Sequence, residues 1–449
     1  MNLYQDVFFR SLDLLRGRNT IQRLHSLRQS QHWNTEQIAV YQLKRLNALL
    51  LQAKNNSPFY QSRLADLKLP LSSLAELCNI PIITKTDIRQ NQQRIRCTNI
   101  PDNRFVESRT GGSTAEPMFY FWDKQGMDWN RASVYRSAEW ANTALGERTV
   151  QMSGSNFDNT QAKSIQNKIV YFLQRYRHFT VAYLDKEIME RYYQQLLAYR
   201  PTSIWGYASG LAIFSDFINE HHPATDFSFL KAVMTSSEML WPEQRSRINQ
   251  AFGGTKVFDQ YGSRELYMAA ECKAHNGYHV HAEVILAEIV DANGNACKPG
   301  ETGRVVLTDL TNQAFPFIRY ENGDLGVMEE PGQCECGMWL PRIRSVQGRI
   351  ADVIVLKDRI LTAPSFSILF SDKRGIKAYQ IRQDKIDEIE VVMVPDENYS
   401  ADFEHYIRTA IESMVAGQAT VKTTLQDEIK VPESGKRRFI VSNVSHNYF

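Results

Sequence analysis

Between residues 186 and 262, helical and strand-like segments take turns, and that alternation narrows the fold more than any other feature of the chain. Ile188, Tyr192, Leu196 and Tyr199 recur at helical spacing, as do Leu211, Phe214 and Ile218. Short apolar runs separate and follow these helices: TSIWGYA (202–208), KAVMTSS (231–237) and TKVFDQYG (255–262). Strands that alternate with helices bury both faces of a sheet, so the pattern argues for α/β layering. Upstream, Leu43, Leu46, Leu50 and Ala53 mark a helix that Asn55–Pro58 stops. From about 278 to 328 the pattern turns β-rich. YHVHAEVILAEIVD (278–291) and GRVVLTDL (303–310) read as strands around the turn-rich DANGNACKPGETG. After about 350 a smaller unit begins, with strand DEIEVVMVP (387–395). A helix carrying Phe403, Tyr406, Ile407, Ala410, Ile411 and Met414 on one face follows, then a strand near 420–425. The expected fold is α/β: a large multi-layer body with a β-rich subdomain over residues 1–350, and a small C-terminal α+β lobe over 351–449.

With 449 residues the chain exceeds one ordinary core, since domains run to ~100–200 residues. Fifty-two Lys and Arg face 50 Asp and Glu, a net charge of +2 that gives no electrostatic case for nucleic acid or a membrane. No apolar run approaches the ~20 residues of a bilayer span. The amphipathic start MNLYQDVFFRSLDLLRGRN lacks a small-residue cleavage site and reads as a helix packed on a mature, cytoplasmic protein. Six cysteines are too sparse for a disulfide scaffold, so they are expected to be free, buried or metal-bound.

The stretch SRTGGSTAEP (108–117) is built like a phosphate grip. Its glycines let backbone N–H groups form an anion nest, and its hydroxyls add donors. It lies between strand-like FVES and MFYFW, so it joins two strands. A Walker A or dinucleotide-binding loop would open a helix instead. The competing reading is an ordinary glycine-rich hairpin.

Five further motifs follow in order: SSEML (236–240), VFDQYGSRE (257–265), FPFIRYENGDLG (315–326), VQGRIADVI (346–354) and SGKRRFIV (434–441). Together with LLLQAKNNSPFY near the start, the set resembles the adenylate-forming superfamily. The nearer likeness is to the phenylacetate–coenzyme A ligases and their relatives from capsular polysaccharide loci. The resemblance implies that a carboxylate attacks the α-phosphate of ATP to give an acyl-adenylate and pyrophosphate, and that a second nucleophile displaces AMP. It implies a C-terminal lobe that moves between the two steps.

Carried onto this sequence, the resemblance makes Thr110, Ser113 and Thr114 phosphate-loop residues. The family pattern T-S-G-S/T-T-G-K-P departs here at Gly111, Ala115 and Glu116, and the loop lysine is lost. In the YGSRE segment, Tyr261 would pack on adenine, and Asp259 or Gln260 would reach its amino group. Gly262 and Ser263 would contact the nucleotide with them, and Glu265 would hold magnesium, for which one carboxylate beside phosphate oxygens suffices. Arg264 stands where the family has threonine or serine, and two readings stand: a cation for the α-phosphate, or a surface ion pair. Ser237 and Glu238 of SSEML join the nucleotide set. Asp324 resembles the acceptor of both ribose hydroxyls, a bidentate task that suits a carboxylate. Arg319 would order its loop, and Arg349 would lie near ribose and phosphate at the lobe boundary. The family's hinge acid falls on Ala351, with Asp352 following. Lys436 resembles the mobile-lobe catalytic lysine, whose compact charge would neutralise carboxylate and α-phosphate as they meet. By position, Trp205, Tyr207, Ser209 and Ser236 would line the acid site, a mix of flat and polar surface suited to an aryl acid, an amino acid or a sugar acid.

Cys272, His279, Cys334 and Cys336 make a natural tetrahedral zinc set, and the same pattern occurs in relatives of the phenylacetate ligases. His275 and His281 are rival ligands. Four protein ligands fill the shell, which favours a structural role. The resemblance thus implies ATP, Mg2+ and structural Zn2+, a small carboxylic acid, and coenzyme A, an amine or a sugar as acceptor. A homo-oligomer is compatible with it. Two alternatives remain at this level: direct amide formation without coenzyme A, and a catalytically weakened nucleotide-binding protein.

Overall fold

The computed structural model describes residues 4–109, 118–153, 171–181, 184–254, 257–349, 353–357, 360–361, 366, 368–370, 375–430 and 438–444. Thr110, Ser113, Thr114, Ala351, Asp352 and Lys436 lie outside the described residues, as does the side chain of Arg349.

The N-terminal helix expected from Leu43–Ala53 spans Thr35–Asn56. Asn34 and Gln37 form a reciprocal capping box at its start, which satisfies donors that a helix N-terminus leaves open. Leu46, Leu49, Leu50 and Ala53 are fully buried, each leucine contributing ~1.5–3 kcal/mol of apolar burial. Ser57 and Pro58 end the helix and start the next, Pro58–Arg63.

Eleven of the described strands form one sheet. Its first half is parallel: Tyr176–Thr180, Thr149–Ser153, Ser203–Tyr207, Ala232–Ser236 and Val257–Gly262 lie side by side. Helices Lys186–Tyr199, Ala208–His221 and Pro242–Ala251 make the crossovers and bury Leu196, Leu211, Phe214 and Ile248 against the strands. From Val257–Gly262 onward the sheet is antiparallel, through Tyr267–Glu271, Tyr278–Val280, Arg342–Arg349, Tyr320–Met328, Thr302–Asp309 and Ile285–Val290. The stretch 278–291 is therefore two strands on opposite sides of this half, not one. Between them Glu283 is buried, held by both guanidinium nitrogens of Arg136 at 2.7 and 2.8 Å and by Ser30.

Tyr261 and Asp324 lie on strands four places apart in this order. A flat sheet would separate them by ~19 Å at ~4.8 Å per strand. Their side chains meet at 2.8 Å, so the antiparallel half curls back on the end of the parallel half.

The C-terminal unit is a four-stranded sheet, Thr420–Leu425, Glu388–Pro395, Ile376–Lys385 and Ile440–Ser442, with helix Ala401–Val415 packed on it. Ile407, Ile411 and Val415 are buried. Tyr406, expected on the same face, is 54 % exposed, so the apolar stripe is narrower than its composition suggests. Trp241 belongs to this core and meets Phe439 edge-on with ring centres 5.7 Å apart.

Candidate active site and metal centre

Parallel strands aim their C-terminal ends at one edge of a sheet, where loops and helix N-termini form a crevice. Here the strands end at Tyr207, Ser236 and Gly262, with Tyr207 opposite Ser236 and Ser236 opposite Gln260. This register gathers Trp205, Tyr207, Ser209, Ser236, Ser237 and Glu238 beside the turn Gly262–Glu265. The Trp205 indole donates to Ser236 Oγ at 3.1 Å. Ser237 adopts φ 71°, a left-handed conformation that costs a non-glycine residue ~1–2 kcal/mol. Helix Ala208–His221 has no side-chain cap from Tyr207. Glu238 supplies one from the neighbouring strand end, accepting from the Ser209 amide at 2.8 Å, where the helix dipole favours a carboxylate. Ser263 and Leu266 close a tight turn, Ser263 N donating to Leu266 O at 2.8 Å. Arg264 is exposed, and its carbonyl accepts from Tyr120 at 2.8 Å.

The curled half brings the strand Tyr320–Met328 onto this rim. Tyr261 OH donates to Asp324 Oδ2 at 2.8 Å. The Asn322 amide donates to the same oxygen at 2.7 Å and to Tyr261 OH at 2.9 Å. Asn322 Oδ1 accepts from the Asp324 backbone at 3.0 Å. Glu265, 2 % exposed, accepts from Tyr320 OH at 3.0 Å. Burial and the Glu265 charge hold the Tyr320 phenol well above its usual range, so it stays a donor. Asp324 stands opposite Arg349 in the ladder, which brings the Arg349 backbone to the same place. The motif reading did not single out Asn322, Tyr320 or Tyr120. Two of them carry a signal, since residues 320, 322 and 324 alternate onto one strand face.

Arg319 is 2 % exposed and sits at φ 48°. It donates to the carbonyls of Cys78, Ile80 and Gly294 and pairs with Glu288 at 3.1 Å, so it fastens the segment before the candidate ribose anchor. Strands Val106–Arg109 and Phe119–Trp122 pair antiparallel across 110–117, as expected of a loop joining two strands.

Asp259 and Gln260 point to opposite faces. The Asp259 carboxyl accepts from Thr235 at 2.5 Å and Tyr278 at 2.8 Å. Its backbone N–H donates to Glu271 at 2.8 Å, and Glu271 pairs with Arg245 at 2.7 Å. Burial, reinforced by the Glu271 charge, pushes Asp259 up to about 7.

Cys272, His279, Cys334 and Cys336 come together with all four ligand atoms within 4.8 Å. Cys272 directly follows one hairpin strand, His279 lies on its partner, and the two remaining cysteines come from the loop that precedes Arg342–Arg349. His279 Nδ1 donates to the Leu340 carbonyl at 3.2 Å, which leaves Nε2 bare, 3.3 Å from Cys336 Sγ. The Leu340 carbonyl thus fixes the tautomer and ring orientation that a ligating histidine needs. Backbone N–H groups of Ala274 and Cys336 point at the sulfurs of Cys272 and Cys334. The Cys336 thiol is held far below its usual range, chiefly by the Cys272 thiol, so this pair favours a thiolate. Three sulfurs and one imidazole in a buried pocket fit a tetrahedral zinc. The rival histidines are placed elsewhere. His281 stacks between Trp140 and Tyr267 and bonds Arg136 and Ser137. His275 faces Glu271 at 3.3 Å. Of the other cysteines, Cys78 is exposed, Cys97 buried and Cys297 half-buried.

A half-parallel sheet that turns into a curled antiparallel half, followed by a small α+β unit, is the fold of the adenylate-forming ligases. A 2-hydroxyisobutyryl-CoA ligase in complex with 2-HIB-AMP superposes with a TM-score of 0.75, covering 92 % of this chain and 90 % of that one at 20 % identity. The amide bond synthetase McbA from Marinactinospora thermotolerans does so at 0.53, over 74 % and 67 % at 14 % identity. The sequence is also similar to phenylacetate–coenzyme A ligases and to Protein CapK. It is 24 % identical to the phenylacetate-coenzyme A ligase of Thermus thermophilus over 445 residues, 90 % of this chain and 96 % of that protein. It is 23 % identical to Protein CapK of Staphylococcus aureus over 409 residues, 87 % and 86 %. Residues 356–443 match the CapK C-terminal domain. None of the described helices is long and apolar enough to cross a membrane.

Proposed function

We propose that this chain is an AMP-forming ligase that activates a carboxylic acid as an acyl-adenylate and passes the acyl group to a second nucleophile. The observation that carries the reading is the convergence of Tyr261, Asp324 and Glu265 on one rim of the sheet, joined through Asn322 and Tyr320. In this reading Asp324 accepts the ribose hydroxyls and Tyr261 packs on adenine. Thr110, Ser113 and Thr114 grip the phosphates, and Arg349 lies near ribose. Glu265 is the magnesium ligand, the cation supplying charge neutralisation to the polyphosphate. Residues 1–350 form the nucleotide- and acid-binding body. Residues 351–449 form the moving lobe that delivers Lys436 to the α-phosphate.

Trp205, Tyr207, Ser209 and Ser236 line the acid site. Cys272, His279, Cys334 and Cys336 hold a structural zinc that ties the hairpin 267–280 to the loop 334–336. Coenzyme A is the acceptor suggested by the phenylacetate–coenzyme A ligase relatives. A second reading, transfer to an amine or a sugar in polysaccharide synthesis, rests on the sequence resemblance to relatives from capsular polysaccharide loci; residues 356–443 match the CapK C-terminal domain.

The test is carboxylate-dependent exchange of labelled pyrophosphate into ATP, run across a panel of acids. Exchange that needs both the acid and magnesium supports the reading. ATP binding without exchange for any acid would leave a nucleotide-binding protein.

A further inference from the structure

Gln260 is 3 % exposed, yet its Oε1 is a buried acceptor with no partner among the described residues. Its other end is fixed: Nε2 lies 3.4 Å from the Met234 sulfur. A thioether sulfur accepts and cannot donate, so the amide nitrogen must face it and the carbonyl oxygen must face away. Buried side-chain acceptors without a partner are uncommon and call for an explanation, one being a group that arrives with a ligand.

The ladder places Gln260 opposite Ser236, and Ser236 opposite Tyr207. These three side chains therefore share one face at the C-terminal end of the parallel strands. Trp205 is on the same face and donates its indole N–H to Ser236. Asp259 and Tyr261 alternate to the other face, where Tyr261 meets Asp324. Gln260 thus shares a face with the proposed acid-lining residues Trp205, Tyr207 and Ser236, while Asp259 and Tyr261 stand on the other.

Resting on the acid-activating function proposed above, we propose that Gln260 Oε1 reads a hydrogen-bond donor on the substrate acid. The preferred substrate class is then a carboxylic acid carrying a hydroxyl or N–H group on its acyl portion, not a plain hydrocarbon acid. A site built around a buried acceptor rejects an isostere without the donor, because that ligand leaves the acceptor unpaired at its own binding step. Trp205 supplies the flat wall, and its indole keeps the Ser236 hydroxyl occupied as an acceptor.

The experiment compares matched acids that differ by one donor: lactate with propionate, 4-hydroxyphenylacetate with phenylacetate, and 4-aminobenzoate with benzoate. Acid-dependent pyrophosphate exchange is measured for wild type and Gln260→Met, together with the melting temperature of both proteins without ligand. The expected result is at least ~100-fold higher kcat/KM for the donor-bearing member of the best pair in wild type, collapsing below ~5-fold in the variant. The ligand-free variant should melt at the same temperature or higher, since it loses an unpaired buried acceptor.

Equal rates within every pair in wild type would overturn the inference and leave the acid-activating function standing. So would a higher KM for ATP in Gln260→Met with an unchanged acid ratio, which would make Gln260 a reader of adenine. A melting temperature lowered by several degrees would show that the amide serves the fold, again against the inference. ATP binding without exchange for any acid of the panel would count against both proposals, and calorimetry with ATP identifies that case.

Discussion

Asn322→Ala removes the group that joins the candidate adenine and ribose contacts without touching either directly. Asn322 is 4 % exposed and makes four hydrogen bonds: one to the Asp324 carboxylate, one to the Tyr261 hydroxyl, one from the Asp324 backbone and a long, weak one to the Met268 sulfur at 3.8 Å. The charged bond contributes ~1.5–3 kcal/mol and each neutral one ~1 kcal/mol. The direct Tyr261–Asp324 bond survives, and a water can enter the polar gap left behind. The expected loss of stability is therefore ~2–3 kcal/mol, below the simple sum. Asp324 would also lose the amide that aims it, so AMP should bind ~10–100-fold more weakly through lost preorganisation. Urea denaturation gives the first number and titration calorimetry with AMP the second. A stability loss of this size with AMP affinity within twofold of wild type would refute the assignment of Asp324 as ribose anchor.

Glu265→Gln should weaken magnesium–ATP binding much more than AMP binding, whereas Asp324→Ala should weaken ATP and AMP alike; calorimetry with both ligands separates the two roles. Purified protein should carry about one zinc per chain by metal analysis. Cys334→Ser should then lower the melting temperature more than it alters acid preference, since structural zinc contributes ~10 kcal/mol or more to holding its ligands. Asp259→Asn should change the pH dependence of stability. The Asp259 carboxyl is raised to about 7 in the folded protein against ~3.9 when unfolded. Folding therefore keeps a proton the unfolded chain releases, and this group removes up to ~4 kcal/mol as pH rises from about 4 to 7. Relative to wild type, the variant should gain stability between about pH 4 and pH 7 and level off above that in denaturant titrations; parallel pH profiles would contradict the burial argument. Lys436→Ala should cut adenylation ~100–1000-fold and leave transfer from a supplied acyl-adenylate nearly unchanged. Equal losses in both half-reactions would remove the moving-lobe role.

The parallel half of the sheet was legible because its strands and crossover helices each bury one face, and that writes a period into the sequence. Helices Lys186–Tyr199 and Ala208–His221 fall where Tyr192, Leu196, Leu211 and Phe214 predict them. The antiparallel half was less legible. Nothing between Tyr278 and Val290 marks a turn, because the break around Glu283 is set by Arg136, 147 residues away. Side-chain direction was also hidden where long-range partners decide it. Cysteine spacing together with the family pattern points to the candidate metal set, but His279 is separated from His275 and His281 only by Leu340, Glu271, Arg136 and Ser137. Asp259 and Gln260 were interchangeable by motif; Tyr278 and Met234 distinguish them. Asn322 could have been found from strand alternation with Asp324, without any motif.

The central claim is that the carboxylate oxygen becomes bonded to the α-phosphate. An acid active in the exchange screen, labelled with 18O in its carboxylate, should be turned over with ATP and acceptor, and the nucleotide product analysed by mass spectrometry. Attack at the carbonyl of an acyl-adenylate leaves the bridging oxygen on phosphorus, so the AMP should carry one 18O atom. Unlabelled AMP, or label found in orthophosphate alongside ADP, would contradict the account.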